Sequence, residues 1–237
     1  MIRECEEHGY FRDGCCPVCG YEGRFVMKDA EVEKVGRTLA AVLRHGKFGL
    51  DMDEHGYVDI KEVCDAIRVS NKNFSRWLRP WQLEALVLTD PKGRYSILGN
   101  KVRANYGHTI EVDLQLPTDS VPDLLYFPVD PEDLDSVLGD GISPGDRAMV
   151  HLSKTYADAV RAGAARCDDP AILEVDVAVC SETGHPVGKA ARTVYLCDSV
   201  PPEAIREAER PDGGEGDGER CRSEEHTSEL QSLGRIS

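Results

Sequence analysis

The stretch Arg94-Tyr95-Ser96-Ile97-Leu98-Gly99-Asn100-Lys101-Val102-Arg103-Ala104 decides the fold of the first half of the chain. It reads as a strand, a two-residue Gly-Asn turn of the kind that joins antiparallel strands, and a returning strand. Upstream, Pro80 opens a helix over 80–89 with Trp81, Leu83, Leu86 and Val87 at apolar positions. Before it, Lys61–Arg68 reads as a helix with Val63, Cys64 and Ile67 inward, and Tyr57–Ile60 as a short strand. Over 30–45, Val32, Val35, Leu39, Val42 and Leu43 form one stripe at helical spacing, and Gly46 supplies a stop. Helix, strand, helix, helix, hairpin is the order of a winged helix, so residues 30–110 are expected to form a winged-helix lobe.

Downstream the composition shifts at about residue 111. Pro117, Pro122, Pro128 and Pro131 punctuate a linker and the entry to a second domain over 120–207. Ala148–Leu152, Ile172–Val179 and Thr193–Leu196 read as strands, and Pro131–Leu138 and Lys154–Gly163 as helices, which implies an α+β domain built on a sheet. From 208 to 237 a disordered tail is expected: Arg210 to Glu219 has almost no apolar content. Arg222 to Ser232 resembles the translation of a common sequencing adapter, so the end of the chain reads as an assembly artefact.

Residues 1–27 carry four of the nine cysteines, Cys5, Cys15, Cys16 and Cys19, in a segment that reads Cys5-x-x-His8 and then Cys16-Pro-Val-Cys19-Gly20. Two short knuckles can aim four soft ligands at one tetrahedral Zn²⁺, and so short a segment has no core without a staple. Cys5, His8, Cys16 and Cys19 are the expected ligands of a structural zinc, with Cys15 an alternative to Cys16 at a spacing one residue wider. An odd cysteine count and an N-terminus without an apolar signal region predict a reducing, cytoplasmic setting. No run of 18 apolar residues suggests a membrane span.

The 43 acidic and 28 basic residues make the net charge −15, which at first argues against nucleic acid. The charge is segregated, however. Residues 30–110 hold 13 Lys and Arg against 10 Asp and Glu, a net +3, leaving −18 for the rest. Between Arg103 and Arg147 there is no basic residue and there are ten acidic ones. The acidity reads as adaptation of the exposed surface rather than as a statement about the ligand.

Four features carry candidate chemistry: Arg44-His45 at a helix end, Arg94 on a strand, Arg103 to Thr109 with its Gly107-His108 pair, and Arg147 ahead of Val150-His151-Leu152-Ser153. Arginine offers a fixed fork for phosphate, and the absence of an obvious carboxylate pair points to catalysis by positioning and charge. Each has a structural alternative: a helix-end Arg can cap the dipole, a strand Arg can be solvated, and His151 can be a core histidine.

In their order and spacing these residues resemble the RNA 2′-phosphotransferase family. The resemblance runs from Leu43-Arg44-His45 through Gly93-Arg94-Tyr95, Val102-Arg103-Ala104, Gly107-His108-Thr109, Gly141-Ile142-Ser143-Pro144, Arg147 and Val150-His151-Leu152-Ser153 to Val200-Pro201-Pro202. It covers about residues 31 to 206, and the cysteine-rich N-terminus is similar to the extension of archaeal members. The resemblance implies an ADP-ribosyltransferase-like second lobe, NAD⁺ as co-substrate, and an RNA bearing an internal 2′-phosphate, tRNA among the candidates. A monomer is expected. The family's Arg-His-Arg-Arg set maps onto Arg44, His45, Arg94 and Arg147 as catalytic residues. His108 and Arg103 would bind substrate, and Tyr126, His151 and Ser153 would bind NAD⁺.

Three departures stand out. The family's Tyr-His-Gly-Thr is Leu125-Tyr126-Phe127-Pro128-Val129 here, its Gln before Gly-His is Tyr106, and its Gly-x-Arg is the looser Gly163-Ala164-Ala165-Arg166. Two other readings remain open: a non-enzymatic zinc and winged-helix regulator that binds nucleic acid, and an ADP-ribosyltransferase that caps terminal nucleic-acid phosphates.

Overall fold

Helix α1 (Asp29–His45) buries Val35, Leu39, Val42 and Leu43 on one face and stops at Gly46, whose φ of 60° is left-handed. The computed structural model describes residues 1–210, so the tail beyond lies outside the described residues. These residues form a mixed α/β structure with three antiparallel sheets. The first holds β1 (Ile2–Cys5), β2 (Gly9–Phe11) and β3 (Arg24–Met27) in the order β2-β1-β3.

After α1 come β4 (Val58–Asp59), α2 (Ile60–Ser70), α3 (Lys72–Ser75), α4 (Pro80–Leu88), β5 (Tyr95–Leu98) and β6 (Lys101–Ala104). The expected hairpin forms, with Leu98 paired to Lys101 across Gly99-Asn100, and β4 adds to its outer side. Helix α2 starts where Asp59 accepts from the backbone N–H groups of Lys61 and Glu62. The short α3 was not expected; Asn71 caps it locally by accepting from Asn73 N–H.

The two N-terminal units share one core. Ile2, Val26 and Met27 pack with Leu39, Leu43, Leu83, Leu86 and Val102, and Gln82 Nε2 donates to the Val26 carbonyl. Burying each leucine stabilises the fold by about 1.5–3 kcal/mol. Only Cys5, Phe11 and Cys16 remain as a separate cluster around the knuckles.

The third sheet has six strands in the order β10-β11-β8-β7-β9-β12. They are β7 (Leu124–Val129), β8 (Val150–Ser153), β9 (Ala171–Asp176), β10 (Gly188–Lys189), β11 (Val194–Cys197) and β12 (Ile205–Glu207). Helices α5 (Leu134–Asp140), α6 (Tyr156–Gly163) and α7 (Val177–Glu182) accompany it. Two expectations are corrected. Residues 177–179 are helical, because Asp176 accepts from the N–H groups of Ala178 and Val179 and turns the chain out of the strand. Residues 124–129 form a central strand, although the prolines around them read as a linker.

Pro128 explains that miss. On one side β7 pairs with β9 along its whole length, Leu124 to Val129. On the other it meets β8 only at Tyr126 opposite Ser153. A proline has no N–H for a second ladder, so β7 and β8 part beyond Tyr126. The chain from 105 to 118 is likewise no free linker. Leu114 packs with Ala190 and Leu196, joined by Tyr106, Val112 and Leu116.

Candidate active site

Arg94 enters the site from the start of the hairpin, held by Asp90. The Asp90 carboxylate is fully buried and accepts from Arg94 Nη2 at 2.6 Å, from Nε at 3.1 Å and from the Arg94 backbone N–H at 2.7 Å. Sequence reasoning missed Asp90. The spacing Asp90 to Arg94 across Lys92-Gly93 was its only signal. The carboxylate fixes the guanidinium's orientation and holds its pKa above the ordinary value.

Arg44 and His45 come from the last turn of α1, and the loop 105–110 closes over them. Thr109 N–H donates to the Arg44 carbonyl at 3.0 Å, and the Thr109 hydroxyl lies 3.0 Å from His45 Nδ1. The Arg44 guanidinium stacks on the Tyr106 ring, 5.0 Å from its centroid, and passes against Gly107. A β-carbon at Gly107 would lie 3.1 Å from Arg44 Cζ, and the residue's φ is +83°. Both facts require glycine there. Arg44 Nε and Nη2 are buried with no hydrogen-bond partner among the described residues.

Arg147, ahead of β8, lines the same cavity as Tyr106. Burial pulls its pKa below the ordinary value, helped by the neighbouring cations Arg166 and Arg44. Tyr106 is within electrostatic reach of Arg44, Arg94 and Arg147 alike. Burial also raises the Tyr106 phenol, which keeps its proton and can donate it in a hydrogen bond. Arg44 stacks on Tyr106, Arg147 lines the same cavity as Tyr106, and among the described residues only Arg94 of the three is ion-paired, an arrangement that favours an anion.

The two nearby histidines are neutral. Burial, then Arg44, Arg103 and His45, lowers His108 to about 4. Burial, then Arg147, lowers His151 to about 4. His151 Nδ1 lies 2.9 Å from the Met149 carbonyl, so Nδ1 carries the proton. Its Nε2 is buried, without a partner among the described residues, and is a free acceptor. The edge of the His151 ring meets Tyr106 at 6.1 Å.

Beside this cluster a cavity of about 830 Å³ opens where β7 and β8 part. Its walls include Tyr106, Phe127–Val129, Gly141–Arg147, His151, Ser153 and Arg166. Gly163 lets α6 approach the cavity wall: a β-carbon there would lie 2.7 Å from Pro128 Cβ. Of the three residues expected on the NAD⁺ side, His151 and Ser153 line the cavity. Tyr126 is not among the lining residues, and its ring meets Tyr156 at 6.2 Å instead. From β7 the wall is supplied instead by Phe127, Pro128 and Val129.

Arg103 is largely occupied by the fold. Its Nη1 donates to the carbonyls of His55 at 3.2 Å and Leu114 at 3.1 Å, and its guanidinium covers the Tyr57 ring at 4.7 Å. It ties the 113–115 segment to the hairpin.

At the N-terminus, Cys5, His8, Cys16 and Cys19 converge, with all ligand atoms within 4.8 Å of one another. Cys5 Sγ is 3.7 Å from Cys19 Sγ and 3.4 Å from His8 Nδ1, and Cys16 Sγ is 3.6 Å from His8 Nδ1. A tetrahedral zinc with Zn–S of about 2.3 Å and Zn–N of about 2.0 Å needs S–S near 3.8 Å and S–N near 3.5 Å. The donor set fits the metal. Cys16 belongs to the group, whereas Cys15 is exposed and lies outside it.

Clustered arginines, a buried neutral imidazole acceptor and an adjoining cavity make a pocket that can take an anionic ligand. Comparison with known proteins gives the family. The profile of the RNA 2′-phosphotransferase, Tpt1 / KptA family matches residues 29–199. The chain is 42% identical to the protein named "Probable RNA 2′-phosphotransferase" in Thermoplasma volcanium, over 88% of this chain and 88% of the relative. It is 40% identical to the protein of the same name in Thermoplasma acidophilum, again over 88% of each. It is 39% identical to that of Methanosarcina acetivorans, over 86% of this chain and 98% of the relative. The chain belongs to the RNA 2′-phosphotransferase family.

Proposed function

We propose that this chain removes an internal 2′-phosphate from RNA, with NAD⁺ as co-substrate. In this reading residues 30–110 are a winged-helix lobe that meets RNA, residues 120–207 an ADP-ribosyltransferase-like lobe that holds NAD⁺, and residues 1–27 a zinc module. The RNA 2′-phosphate attacks the ribose carbon that bears nicotinamide, and nicotinamide leaves. A ribose hydroxyl then attacks the phosphorus, releasing 2′-hydroxyl RNA and ADP-ribose 1″,2″-cyclic phosphate.

The observation that carries the reading is the Arg44 guanidinium stacked on Tyr106 with Nε and Nη2 buried and unpartnered among the described residues, beside a cavity that Tyr106 and Arg147 both line. In this reading Arg44, Arg94 and Arg147 grip the phosphate, and His45 adds a contact from the same helix end as Arg44. The second step gathers negative charge on the phosphoryl oxygens, where fixed guanidinium donors stabilise it. The residues at the cavity suit the co-substrate. His151 Nε2 is a buried neutral acceptor for a sugar hydroxyl, Ser153 a neighbouring hydroxyl, and Arg166 a cation for a diphosphate. NAD⁺ would supply the electrophilic carbon.

The test is incubation with NAD⁺ and an RNA bearing one internal 2′-phosphate, followed by product analysis. Nicotinamide release that needs the 2′-phosphate, with 2′-hydroxyl RNA as product, is expected. Release without RNA, or a stable ADP-ribosylated RNA end, would replace the proposal with another reaction.

A further inference from the structure

The N-terminal unit reaches the arginine site through Arg12, a residue that no sequence pattern singled out. Arg12 follows β2 and crosses onto the end of α4. Its Nε donates to the Thr89 hydroxyl at 3.1 Å, and that hydroxyl donates to the Ala85 carbonyl at 2.7 Å. The next residue is Asp90, the buried clamp of Arg94. Arg12 lies within electrostatic reach of both Asp90 and Arg94. Its Nη2 is buried with no partner among the described residues.

The charges matter here. A buried Asp90 bound to Arg94 alone is a neutral pair. A neutral pair holds geometry well but attracts phosphate weakly. A second guanidinium anchored on the neighbouring Thr89 brings the local charge to +1, which favours an anion at Arg94. We propose that Arg12 is a positioning residue that tunes the phosphate grip: anchored on Thr89, next to Asp90 in the chain, its guanidinium adds positive charge near the Asp90–Arg94 pair and thereby ties the zinc module to recognition of the RNA 2′-phosphate. This rests on the function proposed above. It also gives the N-terminal unit a role beyond completing the core.

The test measures binding by the full zinc-loaded chain, without NAD⁺, of two RNAs that differ only in one internal 2′-phosphate. The parent chain, Arg12→Met, Arg12→Lys and Thr89→Val are compared. Arg12→Met is expected to lower the preference for the phosphorylated RNA by about fivefold to tenfold, the effect of one partly screened charge. Binding of the 2′-hydroxyl RNA should stay unchanged and zinc content intact. Arg12→Lys should restore most of the preference. Thr89→Val, which frees the Arg12 anchor without changing charge, should give a smaller loss in the same direction. Equal weakening toward both RNAs would make Arg12 a general backbone contact and overturn the inference. So would an unchanged preference in Arg12→Met, or a loss confined to variants that also lose zinc. A parent chain that does not distinguish the two RNAs would instead overturn the 2′-phosphate reading itself.

Discussion

Gly107→Ala tests how the arginine site is built. The added β-carbon would sit 3.1 Å from Cζ and Nε of Arg44 and 3.3 Å from Cδ. That is tighter than ordinary contact, and the Tyr106 ring stands 5.0 Å from the guanidinium carbon. Arg44 must move by a few tenths of an ångström, away from where its two unpartnered nitrogens point. Full loss of a charge-assisted hydrogen bond costs about 1.5–3 kcal/mol, or about 10- to 150-fold in rate. A displaced but retained guanidinium belongs at the low end, about tenfold. The backbone adds a separate effect, because alanine at φ +83° costs about 1–2 kcal/mol of stability. Gly99→Ala isolates that effect: its φ is +60°, and nothing lies within 4 Å of the new β-carbon. Urea unfolding should show similar destabilisation in both variants. Single-turnover dephosphorylation of a 2′-phosphorylated RNA should slow only in Gly107→Ala. If Gly107→Ala reacts at the parent rate, or Gly99→Ala slows equally, the contact between Gly107 and Arg44 does not control the site.

Four further outcomes are expected. Arg44→Ala, Arg94→Ala and Arg147→Ala should each slow the second step more than the first, seen as accumulated ADP-ribosylated RNA; equal slowing of both steps would contradict the role assigned to them. Because folding lowers His108 and His151 to about 4 from an ordinary value near 6.5, the unfolded chain binds more protons between those limits. Stability of the free protein should therefore rise with pH from about 4 to 6.5, by roughly 1 kcal/mol per unit per histidine, and level off above. His108→Gln should flatten that slope, and a slope that survives both histidine substitutions would assign it elsewhere. Purified protein should contain about one zinc per chain, and Cys19→Ser should lose metal with at least about 2 kcal/mol of stability; a metal-free parent protein would refute this. Arg103→Ala should cost about 1–3 kcal/mol in unfolding experiments while turnover stays within a few-fold, since its Nη1 is spent on two backbone carbonyls.

Short-range pattern determined a good deal by itself. The stripe from Val35 to Leu43, the Gly46 stop and the Gly99-Asn100 hairpin were legible because each is governed by neighbours a few residues apart. The cluster of Cys5, His8, Cys16 and Cys19, which could hold a metal, was legible as well, since ligand chemistry constrains residue type and spacing together. Among the arginines, sequence order and the family resemblance nominated Arg44, Arg94 and Arg147 but could not give the surroundings of each. What assembled them was long-range: the 105–110 loop bonded to the end of α1, and the Ala148 N–H bonded to the His108 carbonyl at 3.0 Å. Only the tertiary structure showed that Arg94 is clamped by Asp90 while Arg103 is tied into the fold, because the two arginines are alike in the sequence. Strand β7 was hidden by Pro128, which forbids a second ladder and so opens the cavity. Burial likewise made His108 and His151 neutral and left His151 Nε2 a free acceptor. Their chemistry is set by what surrounds them, and those surroundings come from segments far apart along the chain.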